Sequence, residues 1–165
     1  MSQSEAAGID EVMAGVGAAV ARGRAGEKAA AREALTRLWE QVGDAGDALH
    51  RCSIAHYLAD LQDAVEEELR WDRRALAAVA DLSDERAQRH HESLQVQGFL
   101  PSLHLNLADG YRRAGDQDQA RHHLGIAREL ADALPADDYG SMIRGGIRQV
   151  AEHLSAGSRT PLPMP

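Results

Sequence analysis

Histidine is the residue type with the most chemical potential in this sequence. The chain carries eight histidines in 165 residues, and neutral imidazole is the commonest transition-metal ligand. His90 and His91 are adjacent, as are His122 and His123, while His50, His56 and His104 fall in segments of helical spacing. Adjacent side chains diverge by about 100° around a helix. No two histidines have the i, i+4 spacing that puts both rings on one face, as in His-Glu-x-x-His. A metal centre therefore requires tertiary convergence, with His56, His91 and His104 as the candidate set; His91 shares a face with Ala87, Leu94 and Gly98. Taken singly, each histidine is more simply a hydrogen-bonded or half-exposed structural residue.

The other reactive types point to packing or solvation. Cys52 is the lone cysteine, so it forms no internal disulfide, and its place on an apolar stripe reads as inert packing. Glu66, Glu67 and Glu68 read as the solvated first turn of a helix. Trp39 and Trp71 read as core or groove-edge anchors. Phosphate-binding glycine loops, a Gly-x-Ser-x-Gly elbow and paired Cys-x-x-Cys motifs are all missing. No enzymatic activity and no resident cofactor are expected.

Composition narrows the classes further. Apolar residues make up 44% of the chain but aromatics only 4%, so Ala and Leu supply the packing, and these are the strongest helix formers. The net charge of -8 and pI near 5.4 argue against nucleic acid or an anionic membrane as partner. Of the 18 basic residues only Lys28 is a lysine. No apolar run approaches the roughly 20 residues that span a bilayer. With a single cysteine and no signal-peptide pattern, a cytoplasmic location is the expectation.

The elements that must position these residues are helices. Residues 1–24, rich in Ala, Gly and Ser, read as a flexible or weakly helical arm, and 25–155 as one helical domain. Ala30, Ala34, Leu35, Leu38 and Val42 form a stripe over 27–42 that Gly43 ends. Asp44 or Asp47 caps the next helix, with Leu49, Cys52, Ala55, Leu58 and Leu61 inward. Asp63-Ala-Val-Glu66 has capping-box spacing and opens a helix to about Leu82. Ser83, followed by two acids, predicts a separate helix over 83–97, which Gly98 and Pro101 close. Further helices are predicted over 102–114, from Asp116 to Leu134, and over 138–155 after a cap at Asp137 or Asp138. The tail, 156–165, ends in Thr-Pro-Leu-Pro-Met-Pro and is expected to be disordered.

Two of these hairpins repeat. A shift of 53 positions aligns Ala55 with Ala108, Leu58 with Tyr111, Asp63 with Asp116, Glu66 with Gln119 and Trp71 with Leu124. Within the second copy, Leu107-Ala-Asp-Gly-Tyr111, Gly115-Asp116, Ala120, Leu124 and Ala127 resemble a tetratricopeptide repeat, a helical hairpin of about 34 residues. The best repeat is 102–135. The first copy, 47–82, is degenerate, with Glu67 and Arg74 where the family has small alanines, although Ala75 is adjacent. The helix over 83–97 would interrupt the array, and that over 138–155 would cap it. The chain is similar to bacterial tetratricopeptide-repeat proteins of unassigned function.

The resemblance implies an all-α fold of six to seven helices, with antiparallel hairpins stacked as a short right-handed superhelix. It also implies a groove on the inner faces of the first helices. By register that groove is lined by His56 and Asp60, then Ser102, Leu105, Asp109, Arg112 and Arg113, with Asn106 one residue beyond Leu105. The implied function is a protein–protein interaction module holding a short peptide or single helix of a partner. Arg112 and Arg113 either pair with a partner carboxylate or cover the helix end. The alternative is a metal-binding protein using His56, His91 and His104. A third reading is self-association into a homodimer through an uncapped apolar face.

Overall fold

Seven helices account for most of the computed structural model, which describes residues 10–85 and 90–163, with side chains over 10–81 and 98–163. They are α1 (Glu11–Arg24), α2 (Lys28–Val42), α3 (Ala48–Asp60), α4 (Val65–Glu85), α5 (His90–Ala114), α6 (Gln117–Ala131) and α7 (Asp138–Ser155). The all-helical class and the helix count are those expected from an Ala- and Leu-rich chain. Aspartates open four of the helices by accepting a backbone N–H of the first turn. Asp10 accepts from Met13, Asp47 from Leu49 and His50, Asp116 from Gln119, and Asp137 from Gly140.

Each helix packs on its sequence neighbours, and α1 also meets α3, α3 meets α5 and α5 meets α7. Among the described residues the even-numbered helices do not pack backbone to backbone on one another. The odd-numbered helices therefore form one layer, and side-chain pairings show neighbours in it running parallel. Asp10 before α1 meets His50 at the start of α3, and Gly23 near the end of α1 lies beside Leu61 just past α3. Likewise the Gly98 carbonyl and Ser102 on α5 meet Tyr139 at the start of α7, and Arg112 near the end of α5 meets Ser158 beyond α7.

Small residues allow the close approaches. Ala55, Ala75, Ala78, Ala108, Ala120 and Ala127 are all fully buried at helix contacts. On α4 Ala75 is fully buried while Arg74 lies outside, its guanidinium 4.4 Å from the Trp71 ring centroid. Trp71 and Trp39 meet edge to face at 5.1 Å. Gly115 adopts φ 90, the left-handed conformation that lets α5 turn straight into α6.

Four segments differ from the sequence reading. The arm at 1–24 contains a docked helix, because Val16 and Ala19 of α1 bury against Leu35, Ile54 and Leu58. Among the described residues, no separate helix lies within 83–97. Instead α4 continues through Ser83 to Glu85, and α5 runs from His90 through Gly98 and Pro101 without ending. Serine inside a helix costs only a few tenths of a kcal/mol, so a capping preference is not a stop. A proline removes one donor, a loss the packing of a 25-residue helix outweighs. Asp63 caps nothing among the described residues; Lys28, at 2.8 Å, and Arg32 take its carboxylate. The tail, expected to be disordered, is hydrogen-bonded to the end of α5 at Ser158 and Arg159.

Candidate functional site

The odd-helix layer has three seams. At the α5/α7 seam the helices come close because Gly146 has no side chain: a β-carbon there would sit 2.6 Å from Leu105 Cδ2. Leu105 lies across that contact, and an open groove of about 610 Å³ runs beside it. Ser102, Leu105 and Asn106 form the α5 wall, and Met142, Gly145 and Gln149 are among the residues of the α7 wall. Met142 is 60% exposed, the one large apolar side chain left in solvent among the described residues. Opposite it, α7 buries Ile143, Ile147, Val150 and Leu154 in the core.

Three of the eight expected groove residues thus line one groove. Asp60 lies apart, in a smaller cleft of about 190 Å³ at the α1/α3 seam with Ala19, Val20 and Tyr57. Between these openings lies the α3/α5 seam. His56 is buried there, with its ring 5.4 Å from Phe99. Its Nδ1 has no hydrogen-bond partner among the described residues, and burial drives its pKa down to about 4.

Arg112 and Arg113 are committed inside the molecule. Arg112 is 1% exposed; its Nε and one terminal nitrogen donate to Asp109, and the other donates to the Ser158 carbonyl at 2.8 Å. Arg113 bridges Glu68 at 2.7 Å and Asp109 at 2.9 Å. These contacts leave neither guanidinium free to hold a partner's carboxylate, and Asp109 is likewise engaged. The expectation that both arginines face the groove is therefore corrected: they tie α5 to α4 and to the tail.

The ion pairs border a buried acid that sequence reasoning passed over. Asp72 on α4 is fully buried, and neither carboxyl oxygen has a hydrogen-bond partner among the described residues. Desolvation, reinforced by the charges of Glu68 and Asp60, pushes its pKa up to about 9, so it is protonated at neutral pH. Burial also raises Glu68 despite its pairing with Arg113. Asp60 is pushed upward by the protein around it, a push that the water at this exposed residue opposes. The clue in the sequence was spacing: Asp72 falls between Leu69 and Ala75 on one buried stripe.

The histidines assemble differently from the expected set. His104 meets His123, with their Nδ1 atoms 3.0 Å apart, and His123 stacks on Tyr111. Burial, with the charges of His104 and His122, lowers the His123 pKa to about 4, and burial lowers that of His104. The side chain of His91 lies outside the described residues. Among those described, no group of three His, Cys, Asp or Glu is arranged to hold a metal ion. Cys52 is free and buried, and its thiol is pushed up to about 12 by desolvation, which suppresses the reactive thiolate.

No helix among the described residues is long and apolar enough to cross a membrane. Compared with protein-family models, curated proteins and solved structures, the chain matches none of them.

Proposed function

We propose that the chain is a short stack of tetratricopeptide-like hairpins that binds a peptide segment of another protein in the α5/α7 groove. The observation that carries this reading is the grouping of Ser102, Leu105 and Asn106 in one open groove with the exposed Met142. Such a surface combines an apolar anchor point with amide groups able both to donate to and to accept from a peptide backbone. The side chains of Asn106 and Gln149 make no hydrogen bond among the described residues, so their capacity is available to a ligand. The groove is confined to one seam, which suits a short extended segment better than a long track.

The test is selection of peptides from a random displayed library on the immobilised full chain, followed by fluorescence anisotropy with the selected sequences. Met142 is exposed, so Met142→Asp leaves the fold intact. It should weaken groove-binding peptides about tenfold or more, as loss of an interface anchor does. Selected peptides that bind the Met142→Asp chain undiminished, or a selection that yields no binding peptide, would overturn the reading.

A further inference from the structure

The chain itself supplies part of the wall of this groove. Beyond α7, Gly157 adopts φ 67 and the chain turns back. Arg112 then holds the Ser158 carbonyl, and Arg159 donates to the carbonyls of Arg113 and Ala114. From this anchor the segment returns along the seam. Leu162 packs on the apolar cluster shared by α5, α6 and α7, and Pro163 lines the groove alongside Asn106 and Gln149.

The chemistry of that segment indicates what the groove accepts. Pro161 and Pro163 fix φ near −65° and remove two backbone donors, so the segment arrives extended, with carbonyls to satisfy and little conformational entropy left to lose. Facing it are donors with no hydrogen bond of their own among the described residues: the amides of Asn106 and Gln149 and the guanidinium of Arg148. Arg148 and Glu152 bring opposite charges to the lining, and Thr160–Pro163 carries none. An uncharged segment therefore fits better than an acidic or basic one.

We propose that the α5/α7 groove takes an extended, uncharged, proline-containing apolar segment of a partner polypeptide, and that the chain's own tail, held by Leu162 on the adjoining apolar cluster and reaching the groove lining at Pro163, acts as a built-in competitor. This rests on the peptide-binding reading above and adds the ligand class and its regulation. A partner segment must displace the tail, which is tethered at an effective concentration in the millimolar range.

The probe is a fluorescent peptide, Ser-Arg-Thr-Pro-Leu-Pro-Met-Pro, corresponding to residues 158–165, titrated into the full-length chain. Replacing Leu162→Asp in the protein weakens its own tail and leaves the groove residues untouched. The peptide should bind this variant about tenfold tighter than the parent, the competition expected from a millimolar tether. Adding Met142→Asp should remove the gain. The double variant Pro161→Gly, Pro163→Gly, which keeps Leu162, should shift affinity in the same direction, with circular dichroism verifying the fold of each chain.

Equal binding to the parent and both tail variants overturns the proposal, as does binding that Met142→Asp leaves unchanged. A concentration-dependent dimer that Leu162→Asp dissolves would overturn it too, by assigning the tail to a second copy. If library selection yields groove peptides without proline whose affinity ignores Leu162→Asp, this inference falls and the peptide-binding function stands. If no peptide of any sequence responds to Met142→Asp, both fall.

Discussion

Leu105 on α5 lies where a side chain on Gly146 of α7 would otherwise be, and a β-carbon on Gly146 would come within 2.6 Å of Leu105 Cδ2. The neighbouring Gly145 has no such restriction: its nearest contact would be the Arg148 guanidinium at 3.8 Å. Two adjacent helical glycines therefore have different physical reasons. One admits a neighbouring helix, and the other leaves space in the groove.

That difference is measurable. Replacing a helix-interior glycine by alanine gains about 1 kcal/mol where the new methyl meets no obstacle. Gly145→Ala should stabilise the protein by about that amount in urea denaturation. Gly146→Ala should gain less, because Leu105 must leave its position to make room. A bulkier Gly145→Leu should keep the fold and fill the groove, so stability and peptide binding would move in opposite directions. Equal stabilisation by the two alanine variants would show that the α5/α7 contact is looser than described.

Asp72 predicts the alkaline limb of stability. Its carboxyl has an ordinary pKa of 3.8 when unfolded and about 9 in the fold, so above pH 4 the unfolded chain releases a proton that the folded chain retains. Its contribution is fully present below the unfolded value and is lost as pH rises toward 9. Asp72→Asn removes the titration while keeping the shape. Relative to the parent it should gain stability increasingly with pH, about 2 kcal/mol or more at pH 8. Parallel stability curves for the two chains between pH 5 and 9 would show that Asp72 does not titrate abnormally.

The histidines act at the opposite end. His56 and His123 titrate near 4 in the fold against 6.5 unfolded. As pH falls through that window the unfolded chain takes up protons that the folded chain refuses. Stability should therefore fall from about pH 6.5 to about pH 4, at about 1.4 kcal/mol per pH unit for each such group. The 3.0 Å contact between the Nδ1 atoms of His104 and His123 needs one donor and one acceptor, so protonating both rings breaks it. His123→Phe keeps the stacking on Tyr111 and should flatten this acid limb. Acid unfolding unchanged by that substitution would place the sensitivity elsewhere.

These buried titrations mark the boundary of what the sequence made legible. Helix number, the caps at Asp47 and Asp116, and the inward stripe of Leu49, Cys52, Ala55 and Leu58 follow from local spacing, and the fold has them. Ser83 misled because a preference for starting a helix does not stop one already running, and Pro101 because the loss of one donor does not end the 25-residue α5. Ser102, Leu105 and Asn106 could be grouped by register alone. The burial of Arg112 could not, because its second partner is a carbonyl 46 residues away. Asp72 was visible as a charged type on a buried stripe, and only the surrounding fold shows that it lacks a partner.

Arg112 gives the last prediction, since its guanidinium joins the end of α5 to the start of the tail. It is 1% exposed and divides its donors between the Asp109 carboxylate and the Ser158 carbonyl. Removing it strips Ser158 of its donor and leaves a cavity, while Asp109 keeps its contact with Arg113. Arg112→Ala should therefore cost about 3 kcal/mol, at the lower end for breaking a buried pair. Arg112→Lys should recover little, because one ammonium lacks the planar fork that serves both acceptors. The same change unfastens the tail at Ser158, so limited proteolysis should cut within 158–163 faster in either variant under conditions where α7 stays protected. Leu162→Asp should expose the tail in the same assay at a much smaller cost in global stability, separating the anchor at Arg112 from the apolar contact of Leu162. If cleavage of the tail in the Arg112 variants rises only in step with global unfolding, the guanidinium is a core residue with no separate hold on the tail.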